Sequence, residues 1–140
     1  MIFHHINRKK QMRIRKFEDL ACWQQARILS QLAQVYCKKS HFCKDFGLVD
    51  QIKRSSGSVM DNIAEGFERG GNREFMHFLF ISKASNAEVR SQLYRALDND
   101  YITEQEFKEA YSKSIEIKIL ISSLIKSLKP GLSNGLRNPD

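Results

Sequence analysis

Four stretches of the chain carry apolar residues at helical spacing, and none alternates in the manner of a strand. In the first, Leu20, Trp23, Ala26, Leu29, Ala33 and Tyr36 recur every three or four residues. That spacing predicts a helix from about Asp19 to Lys39, with the Asp19 carboxylate as its cap. Phe17, just ahead of it, is placed to close over Trp23. The second stretch starts around Asp45 and ends between Gly66 and Gly71, with Leu48, Ile52, Val59, Ile63 and Phe67 on one face. Ser55, Ser56, Gly57 and Ser58 interrupt it, and a glycine inside a helix costs about 1 kcal/mol relative to alanine. Close approach of another helix is the expected compensation.

Glu68-Arg69-Gly70-Gly71 reads as a turn, and Asn72 caps a third helix that reaches Asp98. Phe75, Leu79, Val89, Leu93 and Leu97 face inward there, with Ser82, Ser85 and Asn86 breaking the stripe. The fourth helix opens on the capping box Thr103-Glu104-Gln105-Glu106 and ends at Pro130-Gly131. It carries Phe107, Ala110, Tyr111, Leu120, Ile121, Leu124, Ile125 and Leu128. Ile115, Ile117 and Ile119 widen its apolar face beyond one buried stripe, which leaves area for a subunit interface.

A chain of 140 residues with 41% hydrophobic content is sized for one domain and one core. With only 2 prolines and 7 glycines, an all-α fold is expected, and short loops between four long helices make it an antiparallel up-down-up-down four-helix bundle. The bundle is expected over residues 17–129, after a basic arm at 1–16 and before a disordered tail at 130–140. Trp23, Ile52, Ile63, Phe75, Leu79, Leu93 and Leu124 are the expected core.

Charge divides the chain unevenly. The net charge is +7, and Arg8, Lys9, Lys10, Arg13, Arg15 and Lys16 supply +6 of it with no acid among residues 1–16. The arm is either a solvated basic segment or a contact for RNA, DNA or an acidic partner. Translation from Met12 would delete three of its six basic residues. Three cysteines, Cys22, Cys37 and Cys43, in a chain without an apolar signal core or a membrane-length apolar run, point to reduced thiols in the cytoplasm and no membrane association.

Enzymatic signals are absent: there is no phosphate-cradling glycine loop, nucleophile elbow or His-Glu-x-x-His run. Cys37, His41 and Cys43 have no further ligands at zinc-site spacing, so no metal or cofactor is expected. Arg73 and His77 sit one residue closer than the arginine and histidine of HEPN-type ribonucleases, and His77 reads instead as an exposed first-turn histidine.

The more informative constellation is polar. Arg54, Ser58, Asn62 (or Asp61), Glu65 and Arg69 step along the second helix beside its apolar stripe, and Ser85, Glu88 and Gln92 lie on the third, placed to meet them. Such a set is either a hydrogen-bonded network fixing helix register or subunit geometry, or a ligand or RNA site.

These residues carry a resemblance. Phe17-Glu18-Asp19-Leu20 with Trp23 and Ala26, then Gln51 to Phe67 with Asn62-Ile63-Ala64-Glu65-Gly66 at its centre, is similar to the bacterial four helix bundle proteins, also called 23S rRNA intervening-sequence proteins. Glu74-Phe75, Phe78-Leu79, Ala84-Ser85, Glu88 and Gln92-Leu93 continue the likeness, which spans roughly residues 17–128. The resemblance implies a left-handed bundle that assembles into a ring-shaped homopentamer, encoded within 23S rRNA genes or standing alone in bacterial genomes. It implies no enzymatic activity. It also extends to the accessory variability determinant proteins of diversity-generating retroelements, which bind nucleic acid and a reverse transcriptase. Carried over to this chain, Trp23, Arg54, Ser58, Asn62, Glu65, Gly66, Ser85 and Glu88 become architectural or interface residues. Met60 stands where relatives commonly have proline, so the kink they imply is not expected. Binding to RNA, with an unidentified protein partner as the alternative, is the expected role.

Overall fold

A computed structural model of the chain describes residues 14–133. Four helices form: α1 (Ala21–Cys37), α2 (Phe46–Glu68), α3 (Asn72–Asp98) and α4 (Glu104–Ser133). Single 3-10 turns at Phe17–Asp19 and Phe42–Lys44 precede α1 and α2. Each helix packs on the next, and α4 packs back on α1, so the fold is an all-α helical bundle.

Local signals explain most of the boundaries. Asp45 caps α2, its Oδ1 accepting the Leu48 amide at 3.1 Å. The Thr103–Glu106 capping box is complete: Thr103 N donates to Glu106 Oε1 at 2.8 Å, and Glu106 N donates to Thr103 Oγ1 at 3.1 Å. Gly70, with φ of 89°, makes the turn from α2 to α3, a conformation that costs a glycine little.

Two boundaries differ from the sequence expectation. Asp19 does not cap α1: its Oδ2 accepts the amides of Arg15 at 3.0 Å and Lys16 at 3.3 Å, closing the 3-10 turn ahead of the helix. Leu20 holds the cap position instead and makes no side-chain cap bond. At the other end α4 continues past Pro130–Gly131 to Ser133. Proline's fixed φ is itself helical, so it removes one ladder bond without forbidding another turn.

The core runs the length of the bundle. Ile52, Ile63, Leu79 and Leu93 are buried as expected, joined by Leu29, Leu48, Val59, Val89, Ile117 and Ile121. Trp23, Phe75 and Leu124 are only partly buried and pack against the edge of that cluster. Phe17 meets Trp23 edge to face, ring centroids 5.2 Å apart. Phe42, from the turn before α2, is fully buried and stacks on Tyr101 at 5.1 Å. Fully burying a side chain of this kind is worth about 1.5–3 kcal/mol.

The small residues of α2 do what their spacing implied. Ser56 and Ser82 have no exposed surface, and Ser82 Oγ donates to the Val59 carbonyl at 2.7 Å. A serine of α3 thus reaches the backbone of α2 itself. At Gly66 the approach is close, with Phe75 and Phe78 of α3 against the site where a side chain would begin. No helix of the described residues is long and apolar enough to cross a membrane.

Candidate functional site

Polar side chains of α2 and α3 pair in a ladder whose residue numbers rise along one helix as they fall along the other. Arg95 Nη1 donates to Gln51 Oε1 at 2.7 Å. One turn on, Gln92 Nε2 donates to Ser55 Oγ at 3.0 Å, and Ser55 Oγ donates to the Gln51 carbonyl at 2.9 Å. Ser58 and Ser85 then share a hydrogen bond at 2.9 Å, and Asn62 Nδ2 donates to Ser58 Oγ at 2.8 Å and to its carbonyl at 2.9 Å.

The outer edge of this ladder is a cleft of about 470 Å³, lined by Gln51, Arg54, Ser55, Ser58, Ser85, Glu88 and Gln92. Gln92 is buried, and its Oε1 has no hydrogen-bond partner within the protein. Leaving such an acceptor unsatisfied costs about 1–3 kcal/mol. Among the described residues Glu88 also lacks a hydrogen-bond or ion-pair partner. The cleft therefore offers the exposed Glu88 carboxylate to a donor from outside.

Arg54 and Glu65, also predicted for this set, take no part in the ladder's hydrogen bonds, although Arg54 lines the cleft. Arg54 is exposed and pairs with Asp50 at 2.9 Å along its own helix. Glu65 pairs in the same way with Arg69 at 3.0 Å, and Arg69 also stacks its guanidinium over Phe78 at 4.9 Å. Exposed pairs of this kind contribute well under about 1 kcal/mol each. Ser58, Asn62, Ser85 and Gln92 are the members that hydrogen-bond within the ladder, with Glu88 on the cleft lining.

A second network was not anticipated as a unit. Asn86 Nδ2 donates to the Ser114 carbonyl at 2.8 Å, Ser114 Oγ donates to Asn86 Oδ1 at 2.8 Å, and Arg90 Nη1 reaches Ser114 Oγ at 3.0 Å. Asn86 and Ser114 have no exposed surface. The signal for it was the polar break in the α3 stripe at Asn86, whereas nothing in the pattern marked Ser114. A third group ties α4 to α1: the single Tyr36 hydroxyl proton is shared between the Glu106 carbonyl and Glu109 Oε1, both 3.0 Å from Oη, while Lys39 pairs with Glu106. Burial, reinforced by Glu109, holds the Tyr36 phenol well above its usual range.

His77 is exposed, its ring against Phe78, and Arg73 is exposed beside it. Among the described residues no group of three or more His, Cys, Asp or Glu is placed to hold a metal ion. Cys22 and Cys37 are buried and Cys43 is exposed. Of the predicted basic arm, Arg15 and Lys16 are exposed at the start of the described chain, and Arg8, Lys9, Lys10 and Arg13 lie outside the described residues.

Comparison with curated protein sequences finds none that matches. Among solved structures, the chain is similar to a protein of unknown function from the S23 ribosomal protein family of Bacteroides thetaiotaomicron VPI-5482, with a TM-score of 0.69 and 24% identity. The match covers 75% of this chain and 95% of that one, and it speaks for the fold alone. The profile of the 23S rRNA-intervening sequence proteins matches residues 18–123, a span that holds the α2–α3 ladder, the cleft and the buried Asn86–Ser114 pair. By that match the chain belongs to the 23S rRNA-intervening sequence protein family.

Proposed function

We propose that the protein is a non-catalytic, self-associating bundle that binds structured or ribosomal RNA through its N-terminal arm and adjoining basic surface, in the cytoplasm. The observation that carries this reading is the charge of residues 1–16, six basic side chains and no acid, on a member of a family named for 23S rRNA. Phosphate contacts by such side chains supply most of non-specific nucleic acid affinity and make it steeply salt-dependent. If the assembly is the homopentamer that the family resemblance implies, five arms act together and their affinities compound.

Binding rather than catalysis suits the cleft. Its serine hydroxyls are engaged by one another or by carbonyl and amide groups, and no histidine or thiol lines it to activate them. Filter binding of a 23S rRNA fragment tests the RNA reading. Full-length protein is expected to retain the RNA at about 50 mM salt and lose it by about 200 mM, while protein lacking residues 1–16 binds far more weakly. Retention unaffected by the deletion would remove the main support.

A second reading, a protein-interaction scaffold without nucleic acid binding, is favoured by one feature, the exposed Glu88 carboxylate, which has no hydrogen-bond or ion-pair partner among the described residues, in an open cleft. It predicts no RNA affinity even at low salt and co-purification with a specific protein that Glu88→Gln releases.

A further inference from the structure

The near-neutral body carries a basic cleft between α3 and α4. Two clefts flank the C-terminal half of α4. On one side Ile14 and Leu20 face Leu120, Leu124 and Ser127. On the other side Phe80 and Lys83 of α3 face Ile125, Lys126 and Lys129 of α4 across about 400 Å³.

That second cleft has the chemistry of a polyanion site. Among the described residues Lys83, Lys126 and Lys129 form no ion pair, and no carboxylate lines the cleft. From Ile117 to Lys129 the helix carries Lys118, Lys126 and Lys129 and no acidic residue. Phe80 is 49% exposed, one helical turn from Lys83, within reach of a bound partner. Lysines that follow a phosphate backbone, with an aromatic ring that stacks on a base, are the recurring parts of single-strand recognition. A furrow between neighbouring helices, whose axes lie about 8–10 Å apart, admits a single strand more readily than a duplex.

We propose that this cleft seats a single-stranded stretch of RNA, with phosphates against Lys83, Lys126 and Lys129 and one base stacked on Phe80. The inference rests on the RNA-binding reading above and adds a second, built contact to the arm.

The test is fluorescence anisotropy of the full-length protein with a short labelled oligouridylate, between about 50 and 200 mM salt. Phe80→Ala is expected to weaken binding about fivefold or more, the lower end for a lost base stack, and Phe80→Tyr to restore it. The triple variant Lys83→Gln, Lys126→Gln and Lys129→Gln is expected to flatten the salt slope by about 2, at about 0.7 per phosphate contact on a single strand. Thermal unfolding of each variant, expected to match the parent, separates lost contacts from lost folding. If deleting residues 1–16 abolishes binding while Phe80→Ala and the triple variant bind like the parent, RNA binding stands and this cleft is overturned. If inorganic polyphosphate displaces the RNA and Phe80→Ala changes nothing, the patch is a general anion surface and the proposal fails. No binding by the parent at low salt overturns both readings.

Discussion

A methyl group on Gly66 would stand 2.7 Å from the Cβ of Phe78, with the Phe75 ring at 3.1 Å and its carbonyl at 3.3 Å. Cβ is fixed by the backbone, so Phe78 cannot rotate away and the helices themselves must part. Gly66→Ala is therefore expected to destabilise the bundle by about 1–3 kcal/mol, although the same change in an ordinary helix stabilises. Gly57 supplies the control, because nothing lies within 4 Å of the position its Cβ would take. Gly57→Ala should stabilise by about 0.5–1 kcal/mol. Urea denaturation midpoints moving in the same direction for both variants would contradict the close approach of α2 and α3.

Asn86 and Ser114 are both fully buried and exchange two hydrogen bonds. Ser114→Ala leaves Asn86 Oδ1 without its donor and takes an acceptor from Arg90, at a cost of about 1–3 kcal/mol. Ser58→Ala, beside the open cleft, should cost less, because water can replace the lost hydroxyl. The order of the two denaturation midpoints checks this, and equal losses would argue against a dry α3–α4 interface.

Asp45 predicts how the fold responds to pH. The Leu48 amide and then the Tyr101 hydroxyl, which donates to Asp45 Oδ2 at 2.9 Å, hold its carboxyl below the ordinary value of 3.8. As pH falls the unfolded chain takes up this proton first, so the contribution is complete above 3.8 and drains away as pH drops through the lower folded value. Tyr101 is shifted upward by the same bond, so its contribution is full below 10.0 and is lost as pH rises through the higher folded value. Tyr101→Phe should thus be less stable than the parent at neutral pH, with the gap narrowing below 3.8. Denaturation curves across that range supply the check, and a gap independent of pH would separate Asp45 from Tyr101.

The three cysteines should differ in reactivity. Burial pushes the Cys22 thiol up to about 11 and raises that of Cys37, whereas Cys43 is exposed. A thiol-specific chromogenic reagent should modify one cysteine rapidly in the native protein and three after denaturation. Cys43→Ser should remove the fast phase.

What was legible in the sequence was mostly local. The start of α2 at Asp45, the Thr103–Glu106 box and the Phe17–Trp23 contact each depend on residues no more than six apart in the chain, where spacing dictates geometry. Asp19 was misread because two competing local partners were available, and the amides of Arg15 and Lys16 took its carboxylate. Across helices Ser58, Asn62 and Ser85 of the polar stripe hydrogen-bond one another, since small and amide side chains at an inter-helix seam have little else to bond. Arg54 and Glu65 share that stripe, but their longer side chains reach solvent and pair along α2 instead. The Ser114 partner of Asn86, and Lys83 facing Lys126, depend on how α3 and α4 align, which periodicity leaves open.

Sedimentation velocity of the full-length protein at low and high salt, alone and with a 23S rRNA fragment, tests the central claim most directly. The account predicts a multimer that persists at both salts and co-sediments with the RNA only at low salt. A monomer, or a multimer whose sedimentation the RNA never changes, would contradict it.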